Sequence, residues 1–273
     1  MVCLESSLST ARAVDVAIEL ARSLPAGLVG LAVVDEPDIS AGAATNIGGA
    51  SDRCDRDAAL LEDTHARARA WLADFVGCGR AAGVAVRTLQ IAGSPSEAIL
   101  AEGPRHDLTV LGRDVQFRYE TQEHDRYSRD RILRCTGRPV LLVPDQIAAT
   151  GSAVMIGYDG SPAAIRALHS FADSQLARGR AIHVATVDDD GAHAFETATR
   201  GCGLLAGLGI RAVPENVASS ESTAAALLSC AARLGAGMIV IGGYIPSPLA
   251  RVVWGSVTHE VIARATVPVF LHY

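Results

Sequence analysis

Short apolar runs alternate with longer amphipathic stretches along the chain, and the alternation is clearest in the second half. Ala153–Tyr158 is one such run, ending in Asp159-Gly160-Ser161-Pro162. A short apolar run closed by turn residues predicts a buried parallel strand. Ser161 then stands as a helix N-cap with Pro162 at the first helical position, and Ala164, Leu168 and Phe171 come after it at helical spacing. A strand over Ala181–Val187, a helix over Ala192–Leu208, a strand over Ile210–Val217 and a helix over Ser222–Leu234 come next. A strongly apolar strand over Met238–Ile241, a loop through Ser247-Pro248, a helix over Val257–Ala263 and a strand over Val267–Leu271 complete the series. Strands alternating with helices imply parallel pairing through right-handed crossovers.

The first half repeats this order. Val14, Ile18 and Ala21 mark a helix, Leu28–Val34 a strand, Asp57–Ala82 a long helix and Val84–Ile91 another strand. Ser94-Pro95-Ser96-Glu97 has the spacing of a capping box. Leu108–Leu111 matches Met238–Ile241, each followed by glycine (Gly112, Gly242), and Arg138-Pro139-Val140-Leu141-Leu142 matches Val267-Pro268-Val269-Phe270-Leu271. The agreement predicts a duplication joined near Asp145–Gly151, with domains over residues 1–147 and 151–273. The fold class expected is α/β: two tandem doubly wound domains, each a five-stranded parallel sheet flanked by helices. The halves differ in two places. The Gly-, Ala- and Ser-rich segment Ser40–Asp52 predicts a surface loop. Aligning Glu5-Ser6-Ser7 on Asp159-Gly160-Ser161 leaves only Met1–Leu4 for a first strand, so either that strand is short or the true start lies upstream.

Composition narrows the classes of function. The 273 residues carry a formal charge of −6, which speaks against sequence-independent binding of nucleic acid, since that requires clustered Lys and Arg. Arginine does cluster at Arg126, Arg129, Arg131 and Arg134, but Glu120, Glu123, Asp125 and Asp130 interleave with it, as on a self-paired solvated face. No apolar run approaches the ~18 residues of a membrane span, and no secretion signal opens the chain. Cys3, Cys54, Cys78, Cys135, Cys202 and Cys230 form no CxxC pairs; buried or half-buried free thiols in a reducing cytoplasm are expected, with a redox role for Cys54 the lesser alternative.

Tyr158-Asp159-Gly160-Ser161-Pro162 after a first strand, Ile239-Val240-Ile241-Gly242-Gly243-Tyr244, Trp254-Gly255-Ser256-Val257 and a final Val267-Pro268-Val269, in that order, resemble the universal stress protein family across essentially the whole chain, in its tandem form. The resemblance implies an adenine-nucleotide-binding, Rossmann-like sheet, stress or metabolic signalling rather than catalysis, and use of the last strand for pairing. Some members hold ATP through Gly, two residues, Gly, nine residues, then Gly-Ser or Gly-Thr. Glycines let phosphates approach backbone N–H groups, and a helix N-terminus favours negative charge. On this pattern the cofactor-binding candidates are Asp159, Gly242, Gly255 and Ser256, with ATP or AMP as ligand and Mg²⁺ only alongside the nucleotide. Ile245 stands in place of the middle glycine, with Pro246 after it, and Arg251 is the loop's only cation. The alternative is that Gly242 and Gly255 serve only a turn and a helix start. In the first half Val115 and Arg126-Tyr127 replace the later glycines and Glu5 replaces the Asp, which favours a structural role there.

No Gly-x-Ser-x-Gly elbow, His-Glu-x-x-His or Walker loop is present, so no catalytic residues are assigned and no reaction is expected; a weak ATPase, which would need Asp159, ranks last. His106-Asp107 reads as a polar strand edge and His272 as solvent-facing. Asp188-Asp189-Asp190 reads as a solvated turn rather than a metal site, Arg113, Asp114 and Arg118 as a salt-bridged loop rather than a site for an anionic ligand, and Trp71 and Trp254 as packing residues. Val140–Val143 and Val269–Leu271 would leave exposed apolar edges unless paired, which predicts pairing of the final strands within the chain, with homodimerisation through the same strands as an extension. Two readings stay open: a nucleotide-binding signalling protein, and a protein-interaction scaffold, with a partner unknown, that has lost nucleotide binding.

Overall fold

The computed structural model describes residues 1–24, 26–36, 50–115, 117, 128–148, 151–217, 222–243 and 256–273, with the backbone alone at 50–54, 128 and 256. The chain forms two compact units, Met1–Cys135 and Thr136–Tyr273.

In the first unit the apolar runs become parallel strands and the amphipathic stretches the helices between them. They are β1 (Val2–Leu4), α1 (Leu8–Ser23), β2 (Leu28–Val34), α2 (Ala50–Ala82), β3 (Val86–Ala92), α3 (Pro95–Glu102), a 3₁₀ turn (Gly103–Arg105), β4 (Thr109–Gly112) and α4 (Ser128–Cys135). The strands lie in the order β3-β2-β1-β4. β1 is short but wholly buried; it pairs with β2 from Val2↔Gly30 to Leu4↔Ala32 and with β4 at Val2↔Val110. Long helix α2 packs on β2 because Gly30 lacks a side chain: a Cβ there would lie 2.6 Å from the ring of Phe75.

The second unit contains β5 (Val140–Val143), β6 (Ala153–Gly157), α5 (Pro162–Asp173), β7 (Ile182–Val187), α6 (Gly191–Gly207), β8 (Val213–Val217), α7 (Thr223–Arg233), β9 (Ala236–Gly242), α8 (Ser256–Arg264) and β10 (Val269–His272). Its strand order is β5-β10-β9-β6-β7-β8. The run β8-β7-β6-β9 repeats the connectivity of β3-β2-β1-β4, so the α/β class and the repeated order stand as expected. β5, the last strand of the first sequence repeat, belongs to this second unit. It runs antiparallel to β10 with Leu141 opposite Phe270, and every other pairing in the unit is parallel. Both β5 and the body of β10 are buried, so their apolar side chains are removed from water by this pairing and by the helices above.

Local chemistry explains where elements begin and end. Ser7, Ser161 and Ser222 cap their helices, each hydroxyl accepting from the N–H three residues on, as a good N-cap does. Ser94 does not: it makes no side-chain cap, and its hydroxyl lies 3.4 Å from that of Ser96. The expected capping box is therefore incomplete, and Glu97 pairs instead with Arg131 at 3.3 Å. Helix α2 starts at Ala50 rather than Asp57, so the end of the expected loop is helical, while residues 40–49 lie outside the described part. Strand β8 starts at Val213 rather than Ile210. Ile210 N–H donates to Leu205 O and Gly209 N–H to Ala206 O, with Gly209 at φ +80°. This Schellman closure takes Ile210 into the helix end.

Candidate functional site

In an open α/β sheet, ligands bind beyond the carboxyl ends of the strands where the strand order reverses. In the second unit that point lies between β6 and β9, which pair from Ala153↔Ala236 to Ile156↔Val240. Asp159 comes just after β6, and Gly242 ends β9. Asp159 is exposed, and its Oδ1 accepts from Ser161 N–H at 2.9 Å, closing a turn in which Gly160 takes φ +77°. Ser161 Oγ takes the Ala164 N–H at 3.2 Å and Pro162 brings no donor, so the first turn of α5 has little left to offer an anion.

Gly242 is set by packing. A Cβ there would lie 2.5 Å from Ala163 C and 2.6 Å from Ala164 N, so bare backbone is what lets the end of β9 meet the first turn of α5. The Gly242 carbonyl accepts from Thr258 Oγ1 at 3.3 Å, tying the first turn of α8 to the same peptide. Ser256 is the first residue of that helix. The structure thus brings Asp159, Gly242 and the backbone at Ser256 to one end of the sheet, while Gly255, Trp254, Ile245, Pro246 and Arg251 lie outside the described residues. Gly243 makes a contact that its sequence does not announce: its N–H donates to His272 O at 3.0 Å, and the ring of Tyr273 fills the place its Cβ would take, 2.2 Å away. The Gly-Gly pair is the one signal in the sequence, and it points to phosphate rather than to an aromatic ring.

The first unit has the same point between β1 and β4. A Cβ on Gly112 would lie 2.7 Å from the backbone of Ser9 and Thr10, repeating the Gly242 contact. Here the chain after β4 is tied down. Asp114 N–H donates to Ser9 Oγ at 3.2 Å, and Phe117 N–H to Glu5 Oε2 at 3.2 Å. These bonds span more than a hundred residues, and only the alignment of Glu5 on Asp159 hints at them.

A universal stress protein from Archaeoglobus fulgidus has a similar structure, with a TM-score of 0.69 at 18% identity over 99% of this chain and 97% of that one. The chain has the universal stress protein fold. A functionally unknown protein from Pseudomonas aeruginosa also matches, with a TM-score of 0.54 at 16% identity over 99% and 90% of the two chains. No family model matches the sequence, and no curated protein does.

Elsewhere in this universal stress fold the polar residues pair locally. Arg113 pairs with Asp114 at 3.5 Å, and Arg118 lies outside the described residues. Asp190 caps α6 with Oδ1, and Asp188 accepts from or pairs with His193 at 2.8 Å. The Asp190 backbone N–H and His193 hold the Asp188 carboxyl below its ordinary value. Burial alone would raise the Glu215 carboxyl, but Arg233 at 3.0 Å and His183 at 2.9 Å outweigh it and keep it low. Among the thiols, Cys3 and Cys230 are buried and Cys202 is half-buried, but Cys78 and Cys135 are exposed, correcting the expectation of general burial. Burial pushes Cys3 up to about 12. Cys54 has no described side chain. Trp71 is half-exposed beside buried Leu72 and Phe75.

His272 is not solvent-facing. It ends β10 half-buried, with Nδ1 on Ser170 Oγ of α5. Burial pushes this imidazole below its ordinary value of 6.5, and Arg166 and Arg138 push the same way. His106 is lowered too, first by burial and then by the Met1 amino group, against the nearby Glu102. The unfolded chain therefore takes up these protons more readily than the fold does, so this stability is present above about pH 6.5 and is lost as the pH falls through it. Thermal unfolding from about pH 8 to about pH 5 is expected to show a falling Tm, with a shallower fall in His272→Gln. An identical slope in the variant would remove His272 from the account.

Proposed function

We propose that the chain is a stress-response or signalling protein of the universal stress family that holds an adenine nucleotide, ATP or AMP, at the switch point of its second unit without turning it over. The observation that carries this is the meeting of Asp159, the end of β9 at Gly242 and the first turn of α8 at the carboxyl ends of adjacent strands. With α5 largely self-capped, the phosphate donors fall to the start of α8, where a helix N-terminus favours negative charge, and Asp159 Oδ2 faces a sugar hydroxyl. Mg²⁺ enters only with the nucleotide; no group of three or more His, Cys, Asp or Glu among the described residues could hold a metal by itself. In this reading residues 1–147 and 151–273 are the two domains, the final strands β5 and β10 pair within the chain, and homodimerisation would extend that self-association. The protein works in the cytoplasm; no described helix is long and apolar enough to cross a membrane.

Thermal unfolding with millimolar ATP or AMP, with and without Mg²⁺, tests the site. A ligand at about a hundred times its dissociation constant adds roughly 2.7 kcal/mol, an upward shift in Tm that Gly255→Trp should abolish while remaining folded. No shift with any nucleotide would sink the nucleotide reading.

A scaffold that has lost nucleotide binding is the second reading, and three observations favour it. Gly242 is used by α5, Asp159 Oδ1 by its own turn, and Gly243 by the Tyr273 ring.

A further inference from the structure

At the first switch point the backbone N–H groups of the chain just beyond the second strand, β4, are spent on the fold. For a nucleotide to be held in the second unit, backbone N–H groups beyond β9 have to be open to it. In the first unit the corresponding N–H groups beyond β4 are already bonded, Asp114 to the Ser9 hydroxyl and Phe117 to the Glu5 carboxylate. Phe117 adopts φ +48°, a left-handed conformation that bulky residues avoid and that persists only where the surroundings hold it. Here the visible holder is Glu5. That carboxylate sits at the carboxyl end of β1, directly before the Ser7-capped N-terminus of α1. Its Oε1 is buried and has no partner among the described residues, so the side chain is held at this point by Oε2 alone among them.

We propose that Glu5 is a built-in anion: its carboxylate takes the backbone N–H that the chain beyond β4 would otherwise offer to a ligand's anionic group, and so closes the first unit to anionic ligands. The energetic sense is that a tethered carboxylate satisfies the Phe117 N–H at no cost in translational entropy. A free phosphate has to displace it and leave a second buried anion beside it, which is unfavourable. The inference takes from the nucleotide proposal only the comparison between the two switch points. It also supplies a stoichiometry, one switch point per chain at most open to an anionic ligand.

Residue-resolved amide hydrogen exchange on the full chain tests it, with inorganic phosphate as the probe. In the natural protein the Phe117 amide is expected to be protected and indifferent to millimolar phosphate. In Glu5→Ala it should exchange at least about tenfold faster, the consequence of a lost charge-assisted hydrogen bond, and phosphate should restore its protection. Three results would each overturn the proposal: an unprotected Phe117 amide in the natural protein, phosphate slowing exchange there as much as in the variant, or a variant that does not respond to phosphate. Glu5→Gln keeps an acceptor while removing the charge and serves where the alanine variant does not fold. It should lose part of the protection and regain it with phosphate, and behaviour identical to the natural protein would dismiss the charge. The nucleotide reading is tested separately, by the shift in Tm with ATP or AMP, so an absent shift there sinks that reading without touching this one.

Discussion

Phe270→Ala is expected to cost about 3–5 kcal/mol of stability, the range for removing a fully buried phenylalanine. Phe270 has no exposed surface. Its ring meets that of Phe171 on α5 edge to face, with centroids 5.8 Å apart and an interplanar angle of 81°, a geometry worth about 0.5–1.5 kcal/mol beyond buried area. Its backbone lies between Leu141 of β5 and Val240 of β9, so the strand cannot shift sideways to refill the space. Urea unfolding of the variant reads the loss directly, and a loss below about 1 kcal/mol would mean that the core there relaxes around the cavity. Phe171→Ala should cost a similar amount, and the double variant less than the sum, because the two deletions share one contact. The consequence reaches the candidate site. Helix α5 carries Ala163 at its first turn, capped by Ser161, and β10 carries the His272 carbonyl that receives the Gly243 N–H, so the ring pair fixes both walls of the switch point.

The regular part of the fold is legible because local and global preferences agree. Ala153–Tyr158, Ala181–Val187 and Met238–Ile241 are apolar runs bounded by turn residues, and each forms a buried parallel strand. The Ser161-Pro162 start is readable because a capping hydroxyl before a residue without an N–H satisfies a helix end locally. Ser94-Pro95 has the same letters and makes no side-chain cap, its hydroxyl lying beside that of Ser96 instead. Boundaries err where a tertiary or helix-end contact decides them, as at Ile210. His272 reads as a solvent-facing end residue because nothing in the sequence places Ser170 beside it.

The candidate site is legible at its frame and not in its contacts. Topology puts Asp159 and Gly242 together, as the strand pattern implies. Which atoms each residue spends on the fold depends on approaches between β9 and α5, between Gly243 and Tyr273, and between Glu5 and Phe117. Those separations run from tens of residues to more than a hundred, and no periodicity encodes them. The glycine pattern therefore carries two meanings at once, backbone left open for a phosphate and backbone left bare for a helix, and only the folded contacts separate them.

That separation makes Gly242→Val the most informative single substitution, and it is expected to destabilise the protein by at least about 3 kcal/mol, the upper end for overpacking. Strand propensity argues the other way, since valine is favoured and glycine disfavoured in a strand. The contact decides: the new Cβ would lie 2.5 Å from Ala163 C and 2.8 Å from Ala163 O, and backbone atoms of a helix cannot rotate aside as a side chain can. Gly112→Val should be similarly costly in the first unit, where the clash is with Ser9 and Thr10. Gly203→Ala is the control. Nothing lies within 4 Å of a Cβ at that position in α6, so alanine should stabilise by about 0.5–1 kcal/mol through helix propensity alone. A Gly242→Val protein as stable as the natural one would show that β9 and α5 can separate, and would return Gly242 to the role of a phosphate-facing glycine. The expected loss carries a different lesson: a nucleotide response that vanishes in Gly242→Val reports a displaced α5, whereas one that vanishes in Gly255→Trp with the Tm otherwise intact reports the site itself.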